Sequence, residues 1–299
     1  MTNSRPQAPP RPLSFWKSGF SSARFYSLPT SIALAAPLIA ALAIGFLYPV
    51  LKLVALSFSG GTLTQYRRIV TEPLHLSVLL STIEVALVVT VASLLFGFPV
   101  AYLMARLRKG LAMIVAACVF IPLWTSVLIR SYAWVVLLQR NGMINKLLTD
   151  TGATDGPLKL IYTQGAVILA MTHVLMPFMI LPIYSALRAL PTDYVRAARN
   201  LGAGPARAFT AVTLPLSLPG IFAGSVMCFV LALGFYITPA LVGGPGSMLM
   251  ATLIGQQTTV LLDWPFAAAL STVLLAVTLL FVLLFRRTLS LSKGLNSVY

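Results

Sequence analysis

The residues able to carry chemistry are few. Among 299 residues there are six Asp and Glu, two His and two Cys. The acids (Glu72, Glu84, Asp150, Asp155, Asp193 and Asp263) are scattered. No pair of carboxylates is set for general acid–base work, and no Ser/His/Asp constellation emerges. The phosphate-cradling pattern GxxxxGK[ST] is absent, so the chain is not expected to hydrolyse ATP itself. Cys118 and Cys228 lie inside apolar runs without CxxC or Cys/His spacing, which gives no metal site and no disulfide framework. Catalysis is therefore not the expected activity, and no cofactor is expected on this chain.

Three ionisable residues sit within apolar runs, where such groups are costly and point to function. Glu84 lies about 10 Å into its run at about 1.5 Å per helical residue. Arg130 falls at a similar depth in the next run if the two are antiparallel. A buried Glu84–Arg130 pair is one expectation; the other is that Arg130 reaches back to the interface while Glu84 faces a wet cavity. His173 is either a neutral partner between helices or a path residue. The ring faces of Trp124, Tyr132, Trp134, Phe235 and Tyr236, together with Glu84, are the candidates to line a path for a cation. Packing or an interfacial belt is the other use of such rings.

These residues need elements to hold them, and the composition says which. Hydrophobic residues make up 58% of the chain and charged ones 9%, with a mean hydropathy of +0.91. Soluble domains carry about 25% charged residues. A soluble or disordered chain is excluded. The net charge of +15 would suggest nucleic acid in a soluble protein, but here the cations sit between apolar runs. A crossing helix takes about 20 apolar residues. Six runs qualify: 31–50, 77–104, 111–138, 164–187, 217–242 and 266–286. The fold class is all-α and polytopic, with a basic, mobile tail over 1–30, a membrane domain over 31–287 and a C-terminal tail over 288–299. Pro37, Pro49, Pro99, Pro122, Pro177 and Pro182 fall within runs and predict kinks. The stretch from Val242 to Trp264 is too polar in its middle to cross, and predicts a re-entrant or surface segment.

Lys and Arg mark the inner side. With the N-terminus inside, 14 of the 21 cations fall in the tail, the turn after the second run, the loop after the fourth and the C-terminus. Both termini are therefore expected in the cytoplasm. The inner loop over 188–215 carries ordered start and stop signals. Thr192 and Asp193 predict a helix cap, Tyr194 to Leu201 a short helix, and Gly202 with Gly204-Pro205 its end. Ala206 to Thr213 predicts a second short helix stopped by Pro215.

Within this elbow, Ala197-Ala198, Gly202, Val212 and Leu214-Pro215 stand at the spacing of the cytoplasmic signature of ABC importer permeases. The chain resembles that family. The stretches 96–106, 121–148 and 234–257 are similar to its spermidine/putrescine branch, specifically the first of the two permease subunits. The resemblance implies a type I importer bundle in the bacterial inner membrane. The elbow is then a coupling helix, with Asp193, Arg196, Ala197, Ala198, Gly202, Leu214 and Pro215 docking on an ATP-hydrolysing subunit. It also implies a second, paralogous permease, a pair of ATPase subunits that hold ATP and magnesium, and an extracytoplasmic solute-binding protein. Arg196 stands where the family has Glu, and Asp193, one turn earlier, is placed to supply the missing negative charge. Other branches carry phosphonates, iron or thiamine. A secondary transporter driven by an ion gradient is the competing class; such folds often carry internal repeats, which are not evident here.

Overall fold

A computed structural model describes the backbone of residues 28–59, 61 and 63–296. The basic tail expected over 1–30 lies almost wholly outside the described residues. The chain divides into two compact units, residues 1–52 and 53–299. Helix α1 (Leu28–Leu42) runs into a π turn, Ala43–Leu47, and on into α2 (Tyr48–Ser57), whose residues from Leu53 on belong to the second unit. Residues Thr30–Ser57 together are long and apolar enough to cross a membrane.

In the second unit, α3 (Thr64–Thr71) leads into α4 (Pro73–Arg106), a 34-residue helix that begins on a proline. Next come α5 (Lys109–Phe120), α6 (Val127–Leu138), α7 (Met143–Asp150) and α8 (Gln164–Ala189). After these follow α9 (Thr192–Asn200), α10 (Pro205–Ala208), α11 (Leu214–Leu233) and α12 (Ile237–Val242). The last two are α13 (Met250–Thr259) and α14 (Trp264–Asn296). Among the described residues five helical stretches can cross a membrane, and a sixth crossing arises if a bent pair is counted as one.

That bent pair corrects the third expected run, 111–138. It is two segments, Lys109–Trp124 and Val127–Asp150, that meet at 101°. Ile121–Trp124 tightens into a 3₁₀ turn around Pro122, Thr125 is extended, and Ser126 caps α6 by accepting from the Leu128 N–H. A proline followed by a capping serine is a stop and a start, which no apolar run can bridge. The fifth run is also shorter than expected. Helix stops at Leu233, Gly234 follows as its cap, and 237–242 is a separate short helix.

Pro215 does not stop a helix either. The elbow's second piece continues from Pro205 through a π turn, Phe209–Thr213, directly into α11. A helical proline offers no N–H to the carbonyl four residues back, and its ring crowds that carbonyl. One wide turn relieves both problems. The same solution serves Pro49, two residues after the first π turn, as Pro215 is two residues after the second.

The core is built by α4, α8 and α11 packed together. Val85, Ala86 and Val89 of α4 meet Met171, Leu175 and Met179 of α8 and Phe229 of α11, all at most 1% exposed. The close approach of α8 and α11 rests on two glycines. A Cβ on Gly220 would lie 2.6 Å from the Pro182 carbonyl oxygen, and one on Gly224 would lie 3.0 Å from the Met179 oxygen. This is small-residue packing at a four-residue spacing, which suits a bilayer where apolar burial alone does not hold helices together. Helix α13 packs on α14 and buries Met250 and Leu253, and at ten residues it is shorter than a crossing helix needs.

Candidate functional site: a coupling elbow and a lined path

The elbow begins where α8 ends and Leu190-Pro191 turn the chain. Thr192 is the first helical residue of α9, and no side chain caps it, so the expected Thr192/Asp193 cap is not formed. Proline at the preceding position supplies the fixed φ instead. Asp193 stands in the first turn, where a carboxylate favours the helix N-terminus. It approaches Arg196 at 3.7 Å, and both side chains are exposed. Asp193 therefore neutralises Arg196 only loosely.

The far end of α9 is closed tightly. The Gly202 N–H donates to the Arg199 carbonyl at 2.9 Å and the Ala203 N–H to the Ala198 carbonyl at 3.0 Å. This paired pattern needs a left-handed residue, and Gly202 supplies φ +84°. Two residues on, Gly204 precedes Pro205 at the start of the next helix.

Helix α9 presents an uncovered face. Tyr194, Ala197 and Leu201 follow one another at helical spacing and are exposed, Leu201 to 88%. Val195 and Ala198 turn inward. Leu214 is half-buried and Pro215 exposed at the start of α11. The π turn braces the elbow against α4: the Phe209 ring stands edge-on to Phe98 at 5.9 Å and to Tyr102 at 5.5 Å. Sequence reasoning passed over Phe209, although a large ring among Ala206, Ala208 and Ala211 is a packing signal.

The path candidates fall into separate places. Trp134 of α6 donates from its indole N–H to Nδ1 of His173 on α8 at 3.2 Å, and the rings stand edge to face. This places the ring proton on Nε2. His173 thus makes a bond between helices and is also exposed. Arg130, one turn before Trp134, lies within electrostatic reach of His173. Its Nε and Nη1 are buried and have no hydrogen-bond partner among the described residues. Arg130 does not pair with Glu84. Described ion pairs involve Arg68, His75 and Arg196 only, and Glu84 is exposed on α4. Next to Arg130, Ser131 and Thr238 share a buried hydrogen bond at 2.7 Å that ties α6 to α12.

Trp124 is 92% exposed on the 3₁₀ turn, and Tyr132 and Tyr236 are also exposed. The Tyr236 ring lies over Gly255, where an added Cβ would meet it at 2.5 Å. Phe235, in contrast, is half-buried and packs against the core. Among the described residues no cluster of His, Cys, Asp and Glu could hold a metal.

Residues 93–288 match the family described as binding-protein-dependent transport system inner membrane component. The spermidine/putrescine transport system permease protein PotB of Salmonella typhimurium (strain SL1344) is 34% identical over 238 residues, covering 79% of this chain and 83% of that protein. Its counterpart in Escherichia coli (strain K12) is 35% identical over 226 residues, covering 76% and 82%. In fold, the chain is similar to a crystal structure of a bacterial ABC transporter that imports the acidic polysaccharide alginate. The TM-score is 0.67 at 20% identity, covering 87% of this chain and 94% of that one.

Proposed function

Because the chain belongs to the family of binding-protein-dependent transport system inner membrane components, we propose that it is one permease subunit of an ATP-driven importer for polyamines. The observation that carries the transport reading is the elbow. Ala197-Ala198 lie on α9, Gly202 fixes its end and Leu214-Pro215 open α11, and the Tyr194/Ala197/Leu201 face is exposed among the described residues. That face fits a groove on an ATP-hydrolysing subunit, which holds ATP and magnesium in place of this chain. The inner position of the elbow, and of both termini, follows from the Lys and Arg distribution.

In this reading, closure of the ATPase pair pushes α9. The push reaches α11 through the continuous helix from Pro205 and reaches α4 through Phe209 against Phe98 and Tyr102. The crossing helices tilt and open outward to a loaded solute-binding protein. A second permease completes the path.

The polyamine assignment is supported by the names of the relatives and by the exposed groups. Glu84 offers a carboxylate, and Trp124, Tyr132 and Tyr236 offer ring faces, each worth about 0.5–2 kcal/mol to an ammonium group. Arg130 favours a second reading, an anionic solute, since its buried guanidinium nitrogens have no described partner.

The test is uptake of labelled putrescine and spermidine, in cells with and without the gene, after the proton gradient is collapsed and ATP retained. Uptake lost with the gene supports the importer and its cargo. Uptake that depends on the gene and vanishes with the gradient returns the chain to the secondary-transporter class. Uptake unchanged by loss of the gene, with ATP still coupled in the purified complex, moves the cargo to an anion.

A further inference from the structure

Behind α9, between the elbow and the ends of α4 and α8, lies a cavity of about 340 Å³. Four arginines line it: Arg106 and Arg188 from the ends of α4 and α8, and Arg196 and Arg199 from α9. Leu187 and Leu190 give it an apolar wall. Among the described residues, Arg106, Arg188 and Arg199 have no ion pair, and the sole carboxylate in reach of the group is Asp193, at 3.7 Å from Arg196. Arg106 is held in place by its cation–π contact with Tyr102, 5.2 Å from the ring centre. The four arginines are exposed and line one space with a single carboxylate beside them, an excess of positive charge that an anion offsets. The guanidinium fork matches phosphate oxygens.

We propose that this cavity binds a phosphate group, specifically the headgroup of an anionic phospholipid of the inner leaflet. Two features favour lipid over a soluble phosphate. Arg106 and Arg188 close the ends of membrane-crossing helices and so stand at headgroup depth. The leucine wall gives the first acyl carbons somewhere to lie. The bound lipid sits beneath the coupling helix, wedged between α9 and the two core helices, and so sets how far α9 travels. The inner-leaflet placement rests on the orientation proposed above.

The experiment uses the purified whole importer and native mass spectrometry after detergent exchange, with phosphatidylglycerol or phosphatidylcholine added. Phosphatidylglycerol is expected to be retained in preference to phosphatidylcholine. The double variant Arg106→Gln/Arg188→Gln is expected to weaken retention about 30-fold, at roughly 1 kcal/mol per arginine. Arg106→Lys/Arg188→Lys keeps the charge and should fall between the two, which separates anion binding from misfolding.

Equal retention of both lipids, or no effect of the double variant, overturns the proposal. Displacement of phosphatidylglycerol by millimolar inorganic phosphate assigns the site to free phosphate and overturns the lipid source. Loss of the ATPase subunit at unchanged lipid retention assigns the cavity to a carboxylate of that subunit, and also overturns it. Lipid retention needs no transported solute, so failed polyamine uptake would strike the proposed function and leave this result standing.

Discussion

Arg68 and Asp263 are 195 residues apart in the chain, and their side chains meet at 2.9 Å. The contact joins α3 to the first turn of α14. Asp263 does two things at once, because its other oxygen accepts from the Phe266 N–H at 3.2 Å and so caps α14. Arg68 in turn holds Glu72 at 3.1 Å and lies 4.1 Å from the centre of the Phe266 ring. His75, buried under the same ring, closes the cluster.

Separating the two roles of Asp263 predicts a graded series. Asp263→Asn keeps an N-cap oxygen and loses the ion pair. Both partners are about one-third or more exposed, so the loss is expected to be below about 1 kcal/mol. Asp263→Ala loses the cap as well, for about 1–2 kcal/mol in total. Thermal unfolding of the detergent-solubilised protein should rank wild type, Asn, then Ala. An Asn variant as unstable as Ala would show that the ion pair, not the cap, carries the contact.

Gly220 and Gly224 are predicted to resist any side chain. Gly220→Val drives a branched side chain against the Pro182 carbonyl and Ala186, neither of which can retreat without moving α8. The expected cost is about 1–3 kcal/mol. Gly110→Ala is the control, since nothing lies within 4 Å of its Cβ position and the residue is helical. It should be neutral or slightly stabilising. Melting temperatures of both variants decide the matter, and equal values would mean the two helices are free to separate.

At Gly202 the space is open but the backbone is left-handed. Gly202→Val is therefore penalised by conformation alone, by about 1–3 kcal/mol. Gly202→Asn, which tolerates that conformation, should behave nearly as wild type. Val is expected to insert in the membrane normally and to uncouple ATP hydrolysis from the solute-binding protein. Coupled uptake by the Val variant at the wild-type rate would remove Gly202 from the coupling mechanism.

Phe209→Ala removes two edge-to-face contacts, worth about 0.5–1.5 kcal/mol each. The ATPase subunit should still bind, because the Tyr194/Ala197/Leu201 face is untouched. Solute import should drop by about tenfold or more for a loss of about 1.4 kcal/mol in coupling. Unchanged import together with unchanged ATPase stimulation would show that α4 receives its motion by another route.

Much of the molecule was legible from residue types because a bilayer imposes one rule, that a crossing segment must be long, apolar and helical. The runs at 77–104 and 164–187 became α4 and α8 within a few residues. Run 111–138 misled, since hydropathy does not register backbone direction and Pro122 with Ser126 turns the chain by 101° inside it. Pro215 misled in the opposite sense, because whether a proline ends a helix depends on whether the preceding turn can widen. The elbow's candidate residues were picked out by spacing, and Gly202 has the left-handed conformation expected of a residue that ends a helix. The state of Arg130 was beyond reach, because burial and hydrogen bonding at its nitrogens depend on tertiary packing that residue types do not record.

The π turn at Phe209–Thr213 amounts to an α-helix carrying one surplus residue. Removing Ala211 would close the wide turn to the ordinary pitch and leave the helix on either side nearly in register, because the wide turn already absorbs the surplus residue. The exposed face of α9 would keep its bearing, and what would be lost is the room that the Pro215 ring needs. The surplus residue thus works as a spacer, which lets a proline sit inside a continuous helix without redirecting what comes before it.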